Sequence, residues 1–422
     1  MDSRSGQRPL ARSFVARCLA AGALGALLLT AGAPAQADEQ LRLIDMIDVG
    51  GNGLGAFDIS YDDPAIGLYT LSDRTNASID LVDAFDNRFI GRVGGFKGVV
   101  KVNGTADNNL SGPDGNVIVD HKEVWAGDGD STMKVIDIAS RTITHTISTS
   151  GQFRVDEMAW DRLDHLVVAA NDADTPPFIT FFDTRTYKIV GKIVFDGTNG
   201  TPNATGGIEQ TQWSPETGLL YTSVPQIGPN VANGGVAVTD PQTMKVIAIY
   251  PVQNCSPAGL ALGPRHQALL GCSASFGTSP NVLTQSLVID IRDGSVVKHL
   301  TQIGDSDEVW YDRGSNHYYL AARGNENNTG KVSPVLGFVD GGTNMFDGTV
   351  PTSTTAHSVA ANLWNRHVFV PIGFVPPGSP AGTDPTNPCP THGCIAVYVP
   401  SGPPDHNFIS FDLDHFLQDL GR

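Results

Sequence analysis

The sequence predicts an all-β protein, a seven-bladed β-propeller closed by an N-terminal strand. Three observations predict it: a composition rich in turn residues, seven copies of a four-strand repeat, and a strand that precedes the first copy. The chain has 422 residues, with 47 Gly and 27 Pro, and 40% of its residues are hydrophobic. That much Gly and Pro is typical of many short strands joined by turns, and the apolar fraction suffices for a sizeable core. These values argue against a helical bundle.

The repeat is clearest in its third strand, which usually ends in Asp, and the successive Asp residues are 46 to 57 positions apart. Seven copies of four short strands at such a period are the signature of a seven-bladed propeller. The third strands are predicted at Ile79–Asp83, Lys134–Asp137, Ile179–Asp183, Val236–Asp240, Leu287–Asp290, Leu336–Asp340 and, without the Asp, Ile395–Val399. The first strands are predicted at Ala56–Tyr61, Gly115–Val119, Asp156–Trp160, Glu209–Trp213, Ala258–Leu262, Asp307–Tyr311 and His357–Ala361. One repeat position holds aromatic residues, which are expected to pack between neighbouring blades: Tyr61, Trp160, Trp213 and Tyr311.

The two ends of the chain predict how the ring closes. Leu41–Val49 reads as a fourth strand but precedes every first strand, so it can complete the seventh blade and remove an exposed sheet edge. Phe408–Leu413 is predicted to add to the same blade, and His415–Leu420 to form a short helix.

Residues 1–37 are predicted to be a cleaved signal peptide. Four arginines precede an apolar run from Leu19 to Thr30, and Ala35-Gln36-Ala37 fits a small-residue cleavage site. This run is too short to span a bilayer, and no later run reaches the required length. The mature protein, residues 38–422, is therefore expected to be exported to the periplasm or the extracellular medium, as one propeller domain with a short C-terminal extension and no membrane span.

Several segments resemble the repeats of YVTN-type seven-bladed propellers: Leu68–Asp73, Val124–Asp128, Val167–Asn171 and the Gly112-Pro-Asp-Gly115 turn. The resemblance covers nearly all of the mature chain and implies the fold. It does not imply one activity, because that superfamily includes surface-layer proteins, lactonase-like proteins, quinoprotein subunits and copper enzymes.

Acidic and amide residues recur where the first strands converge on the central channel. Crowded carboxylates repel one another unless a cation or a proton intervenes, and calcium accepts such oxygen ligands. Gluconolactonase- and paraoxonase-type propellers hold calcium with a similar ring, so a divalent cation, calcium above all, is one expectation, and an acidic funnel without an ion is the other. The predicted metal ligands are Glu157, Glu209, Asp307 and Glu308.

The starts of the first strands also supply candidate catalytic and ligand-binding residues. His357 stands at the start of a first strand, beside the channel, and is the candidate for moving protons, together with Glu157. Four other histidines are expected to be surface turn residues on the opposite face: His121, His165, His317 and His367. The candidate ligand-binding residues are Asp58, Asn116, Asp156, Gln210, Arg154 and Arg323.

The mature part contains four cysteines, an even number that suggests disulfides in an exported protein. The predicted pairs are Cys255 with Cys272 and Cys389 with Cys394. A metal site that combines Cys389, His392 and Cys394 is the alternative. In the same blade as Cys255, Ala258 and Gly259 are expected to leave a gap in the acidic ring that admits a substrate.

Two functions remain open from the sequence. A net charge of −17 argues against nucleic acid as a partner, because phosphate contacts need clustered Lys and Arg. The chain contains no Gly-x-Ser-x-Gly elbow, phosphate loop or dinucleotide fingerprint. The first hypothesis is therefore an exported propeller that binds a small molecule, a glycan or a protein at the acidic channel mouth. The alternative is a metal-dependent channel enzyme of the lactone hydrolase or lyase type.

Overall fold

The computed structural model describes residues 40–273, 285–325, 332–375 and 385–402. These residues form seven four-stranded antiparallel sheets, arranged as the blades of a ring, which confirms the predicted all-β propeller. The predicted signal peptide and the segments Phe408–Leu413 and His415–Leu420 lie outside the described residues. Within the described part of the chain, no helix has the length and apolarity needed to cross a membrane.

Each blade contains four consecutive strands, except the last, which takes its fourth strand from the N-terminal side of the chain. Blade 1 consists of Ser60–Asp63, Leu68–Asp73, Ser78–Asp83 and Arg88–Gly94. Blade 2 consists of Asn116–Val119, Glu123–Asp128, Thr132–Asp137 and Thr142–Ser148. Blade 3 consists of Met158–Asp161, Leu166–Asn171, Phe178–Asp183 and Lys188–Val194. Blade 4 consists of Thr211–Trp213, Leu220–Val224, Asn233–Asp240 and Lys245–Gln253. Blade 5 consists of Pro257–Gly263, Gln267–Cys272, Ser286–Asp290 and Val296–Leu300. Blade 6 consists of Val309–Asp312, His317–Ala322, Val335–Asp340 and Phe346–Pro351. Blade 7 consists of Ala360–Ala361, Val368–Ile372, Cys394–Pro400 and Leu41–Ile47. A two-stranded hairpin and a 3-10 helix lie between blades 1 and 2, at Lys101–Val102, Thr105–Ala106 and Asn108–Leu110.

The ring closes as the sequence predicts. Leu41–Ile47 pairs antiparallel with Cys394–Pro400, in a register that places Leu41 opposite Pro400 and Ile47 opposite Ile395. The first and last blades are thereby joined by backbone hydrogen bonds, which removes the open sheet edge that an unclosed ring would expose.

The apolar core consists of layers between neighbouring blades. Seven buried clusters are present in the described residues, and each joins the facing sides of two adjacent blades, including blades 7 and 1. The predicted aromatic position lies in these layers: Tyr61, Trp160, Trp213 and Tyr311 pack against the clusters as partly buried side chains. In blades 1 and 3, for example, the second and third strands are buried along almost their whole length, whereas the fourth strands are mostly exposed or half-buried.

The Asp that marks the third strand has a structural role. In blade 3, one carboxylate oxygen of Asp183 accepts hydrogen bonds from the backbone N–H groups of Arg185 and Thr186, each at 2.9 Å. Asp240 of blade 4 makes the same pair of bonds to Gln242 and Thr243. The Asp side chain thus fixes the tight turn that leads to the fourth strand. Its recurrence at the end of the third strands therefore reflects the geometry of that turn.

A β-bulge recurs at one position of the fourth strand in all seven blades. At a bulge, one extra residue stands between two residues that pair with the third strand, and its side chain is displaced from the ladder. The bulged residues are Ile90, Thr144, Val190, Ile247, Val297, Asp347 and Ile44. Six of them are β-branched, and the seventh, in blade 6, is an aspartate.

Both predicted cysteine pairs are at disulfide distance, with Cα–Cα separations of 4.6 Å for Cys255–Cys272 and 5.7 Å for Cys389–Cys394. Cys255 precedes the first strand of blade 5 and Cys272 ends its second strand, so the pair links two antiparallel neighbours at the rim of the channel. The alternative metal site around His392 would need the two thiols that the second disulfide uses.

Candidate binding site at the channel mouth

The acidic residues of the predicted channel site lie just before the first strands, and Asn116 begins one. In blade 3 the regular strand begins at Met158, after Asp156 and Glu157. Backbone hydrogen bonds nevertheless hold this segment against the second strand: Asp156 N–H donates to Ala170 at 2.8 Å, and Ala170 N–H donates to Glu157 at the same distance. We call the end of the channel that these segments line the mouth.

Arg154 connects three carboxylates of the mouth. Its guanidinium lies 2.7 Å from Asp156, 2.8 Å from Asp172 and 3.6 Å from Asp58, measured between the nearest nitrogen and oxygen atoms. A second bond to Asp172, at 3.2 Å, makes that pair bidentate. The geometry therefore places Arg154 in the wall of the mouth, with its donors directed at protein carboxylates.

The other two arginines are also paired with acids. Arg74 contacts Asp58 and Asp114, and Arg323 lies 2.8 Å from Asp307. Arg74 is buried, since it is only 3% exposed. Arg323 is the more accessible of the two, since 37% of its side chain is exposed.

His357 is held from two sides. Its Nδ1 donates to the carbonyl of Thr355 at 2.7 Å, and its ring stacks on Phe57 with a centroid separation of 4.6 Å. Its Nε2 lies 3.4 Å from Asp58. Burial alone would raise the pKa of Asp58, but Arg74, the hydrogen bond with His357 and Arg154 together lower it below the usual range. His357 therefore faces a carboxylate that stays ionised.

Glu157 and Glu308 meet across the channel, although they belong to blades 3 and 6. They share a hydrogen bond, which raises the pKa of Glu157 and lowers that of Glu308. Burial is the largest cause for both, so each pKa stands well above the ordinary value. Both carboxyls therefore keep a proton to higher pH than an exposed glutamate does, and the hydrogen bond between two carboxyl groups itself needs a proton.

Glu209 of blade 4 adds a third acid to this group. Burial, and then the nearby charges of Asp307 and Asp172, raise its pKa well above the ordinary value. Within the described residues, Glu157, Glu209 and Glu308 form no ion pair with a basic side chain, unlike the aspartates of the mouth. The three glutamates therefore form the uncompensated acidic part of the site.

Gln210 holds three blades together. Its Oε1 accepts from the backbone N–H groups of Leu260 at 2.6 Å and Val309 at 3.2 Å, and its Nε2 donates to Glu308 at 2.8 Å and to the Val309 carbonyl at 3.1 Å. All four hydrogen-bonding positions of the amide are thus filled by protein. A ligand would have to displace these bonds to contact Gln210.

Asn116 has a similar place between blades 1 and 2. Its Nδ2 donates to the Ile59 carbonyl at 2.8 Å and to Ser72 at 3.1 Å, and its Oδ1 accepts from Thr70 at 2.6 Å. Sequence reasoning grouped Asn116 and Gln210 with the ligand-binding acids, since amides are equally common in binding sites and in structural links. Their contacts here are those of structural links.

The gap expected in blade 5 is filled. A Cβ atom at Gly259 would lie 2.6 Å from a methyl of Val309 and 2.9 Å from the backbone oxygen of Asp307. Blade 6 occupies this space, and Gln210 reaches past Gly259 to Glu308. The expectation that Ala258 and Gly259 admit a substrate was therefore wrong, because the missing side chains allow close packing instead.

The predicted metal ligands do not gather into a three-ligand cluster. Among the described residues, no three acids of the mouth bring ligand atoms within 4.8 Å of one another. A calcium ion needs six to eight oxygen ligands at 2.3–2.6 Å. Calcium at Glu157, Glu209, Asp307 and Glu308 stays a prediction for metal analysis to test.

Sequence reasoning missed Asp172, which forms the bidentate pair with Arg154. It follows the second strand of blade 3, and its exposure is 7%. The ends of second strands meet the starts of first strands at the same end of an antiparallel sheet. Polar residues that follow each second strand were therefore the signal that could have found it.

Comparison with known proteins supports the fold. No protein-family model and no curated protein matches the chain. Among solved structures, a chain from the crystal structure of the mitotic checkpoint complex aligns with a TM-score of 0.58 at 10% identity, over 84% of this chain and 93% of that one. A chain of hydrazine synthase from Kuenenia stuttgartiensis aligns with a TM-score of 0.58 at 14% identity, over 75% and 92%. At these identities the likeness concerns the propeller architecture.

Proposed function

We propose that the protein binds a small molecule bearing an ammonium or guanidinium group at the acidic mouth of its channel. The observation that carries this proposal is the cluster of Glu157, Glu209 and Glu308, three buried acids from different blades without a basic partner among the described residues. Their raised pKa values show that burial and repulsion oppose ionisation of the cluster. A bound cation would relieve that repulsion.

An anionic ligand is disfavoured by the same geometry. Arg74 and Arg154 are enclosed by four aspartates, and Arg323 contacts Asp307. An anion would have to break these buried ion pairs, and each would leave a carboxylate without its partner, at a cost of several kcal/mol.

The approach to the glutamates passes the more exposed members of the mouth. Asp307 exposes 25% of its side chain and Arg323 exposes 37%, whereas Arg154 and Asp58 expose 14% and 12%. A cation arriving from solvent would therefore meet Asp307 first. Binding there would compete with Arg323, so the affinity should fall as the salt concentration rises.

Titration calorimetry with spermidine tests the proposal. We expect saturable binding that weakens with salt and that the Glu209→Gln substitution weakens about tenfold, the ratio that corresponds to about 1.4 kcal/mol. Glu216→Gln is the matched control, because it makes the same change in the same blade on an exposed side chain that pairs with His266. Absence of binding, or equal loss in both variants, would refute the proposal. Binding of a basic peptide but not of spermidine would assign the mouth to a protein partner instead.

Export is a separate proposal. It is supported by the basic, apolar and small-residue segments of residues 1–37 and by the two cysteine pairs at disulfide distance. N-terminal sequencing of the protein purified from the culture medium or the periplasm tests it, with Asp38 as the expected first residue.

A further inference from the structure

A second group of titratable side chains lies on blade 6, away from the mouth. His317 begins the second strand, Asp340 ends the third, and Asp347 is the bulged residue of the fourth. His317 stands directly opposite Asp340 in the ladder. One ligand atom from each of the three side chains lies within 4.8 Å of the others. Sequence reasoning placed His317 in a surface turn, which was wrong, because its side chain is only 4% exposed.

The hydrogen bond of Nδ1 fixes which ring nitrogen of His317 carries the hydrogen. Nδ1 lies 2.7 Å from the backbone carbonyl of Ser315, and because a carbonyl can only accept, Nδ1 carries the hydrogen. In neutral imidazole the other nitrogen, Nε2, then presents a lone pair. Nε2 lies 3.1 Å from a carboxylate oxygen of Asp347. Two acceptors at this distance repel each other unless a proton or a metal ion stands between them.

The same arrangement is characteristic of metal-bound histidine, whose second nitrogen usually donates to a carbonyl or a carboxylate. Asp340 uses one oxygen, Oδ1, for the turn, where it accepts from the backbone N–H and the hydroxyl of Thr343 at 2.6 and 2.7 Å. Its other oxygen is not part of those bonds. Asp347 exposes 29% of its side chain, so an ion can reach the group from solvent.

The other blades provide an internal comparison. The position opposite the third-strand Asp, which is His317 in blade 6, is occupied elsewhere by Leu68, Glu123, Leu166 and Gln267. The bulged position, which is Asp347 in blade 6, is β-branched in every other blade. The backbone therefore tolerates apolar residues at both positions, and the turn and the bulge do not require a histidine or an aspartate there.

We propose that His317, Asp340 and Asp347 form a binding site for a divalent transition-metal ion of the zinc class. One imidazole nitrogen and two carboxylate oxygens are ligands that zinc takes in proteins, and three protein ligands leave a fourth position for water. The site is built by three adjacent strands of a single blade and is independent of the function proposed for the mouth.

The test uses the full mature protein, freed of metal with a chelator and titrated with ZnCl₂ by calorimetry. We expect one equivalent to bind, and Co²⁺ substitution to give visible absorption bands of a four-coordinate ion. Asp347→Val, which introduces the residue that blades 3 and 5 carry at the bulge, should weaken zinc binding by about tenfold or more. His317→Leu, which introduces the residue of blades 1 and 3, should remove it.

His121→Leu is the control, because the partly exposed His121 forms a histidine–aspartate pair with the buried Asp63, 2.6 Å apart, at the equivalent turn region of blades 1 and 2. This variant should bind zinc like the parent protein. If His317→Leu fails to fold, the Asp347→Val result decides alone, since that side chain is partly exposed. A parent protein without stoichiometric zinc binding would mean that a proton joins His317 to Asp347, and the proposal would fall. Equal binding by Asp347→Val would do the same, because the ion would then bind elsewhere.

Discussion

Replacement of Glu157 by glutamine should change how stability depends on pH. A carboxyl whose pKa is raised in the folded state keeps its proton at pH values where the unfolded chain has released it. Raising the pH then favours the unfolded state, so the unfolding free energy falls between the ordinary glutamate value of 4.5 and the raised folded value. Glu157 and Glu308 both belong to this class, because both are buried and both face further acids.

The magnitude follows from the number of protons involved. Each proton that the folded state retains and the unfolded state has lost lowers the unfolding free energy by about 1.4 kcal/mol per pH unit. Glutamine at position 157 removes one such proton. Its amide can still donate to Glu308, which keeps the hydrogen bond and lowers the pKa of Glu308. The slope of stability against pH should therefore become less negative by up to about 1.4 kcal/mol per pH unit above pH 5, where the unfolded chain releases this proton.

Urea denaturation at half-unit steps from pH 5 to pH 8 measures this slope, with the unfolding free energy extrapolated to water at each step. Other raised acids of the mouth contribute to the slope of both proteins, and the difference between parent and variant isolates position 157. Glu216→Gln serves as the control, since its side chain is 54% exposed, and its slope should match that of the parent. Identical slopes for Glu157→Gln and the parent would show that Glu157 is ionised in the folded protein, and the account of the shared proton would be refuted.

Three further outcomes are expected. Replacement of both Cys255 and Cys272 by serine should lower the unfolding free energy, measured by chemical denaturation, by about 3 kcal/mol, because that is the loop-closure value for a separation of 17 residues. No change would mean that the bridge is absent. Gln210→Ala should cost about 3 kcal/mol by the same assay, because buried backbone groups in blades 5 and 6 lose their partners; a loss below 1 kcal/mol would contradict the link. Deletion of residues 38–49 should lower the melting temperature and produce dimers or aggregates in size-exclusion chromatography, because it exposes Cys394–Pro400 as a sheet edge. An unchanged monomer would contradict closure by Leu41–Ile47.

The sequence alone determined the architecture. Alternation of apolar and polar residues, turn residues at regular intervals and the third-strand Asp are local features, and they repeat often enough to count the blades. Leu41–Ile47 was recognised as the closing strand because it lacked a first strand before it. The cysteine pairing followed as well, since antiparallel neighbours within one blade bring Cys255 beside Cys272. The order of strands also placed Glu157, Glu209 and Glu308 at one end of the channel.

Only the tertiary structure decided which of these side chains touch. Gln210 and Glu308 are 98 residues apart and bond past the glycine of an intervening blade, which turned an expected gap into a packed contact. The direction of a side chain in the channel depends on the tilt of its blade and on the size of its neighbours around the ring. The burial of His317 beside Asp347 depends likewise on a bulge that shifts one residue out of the ladder. Local periodicity carries no record of these contacts and displacements, because they depend on how strands and blades pack against one another.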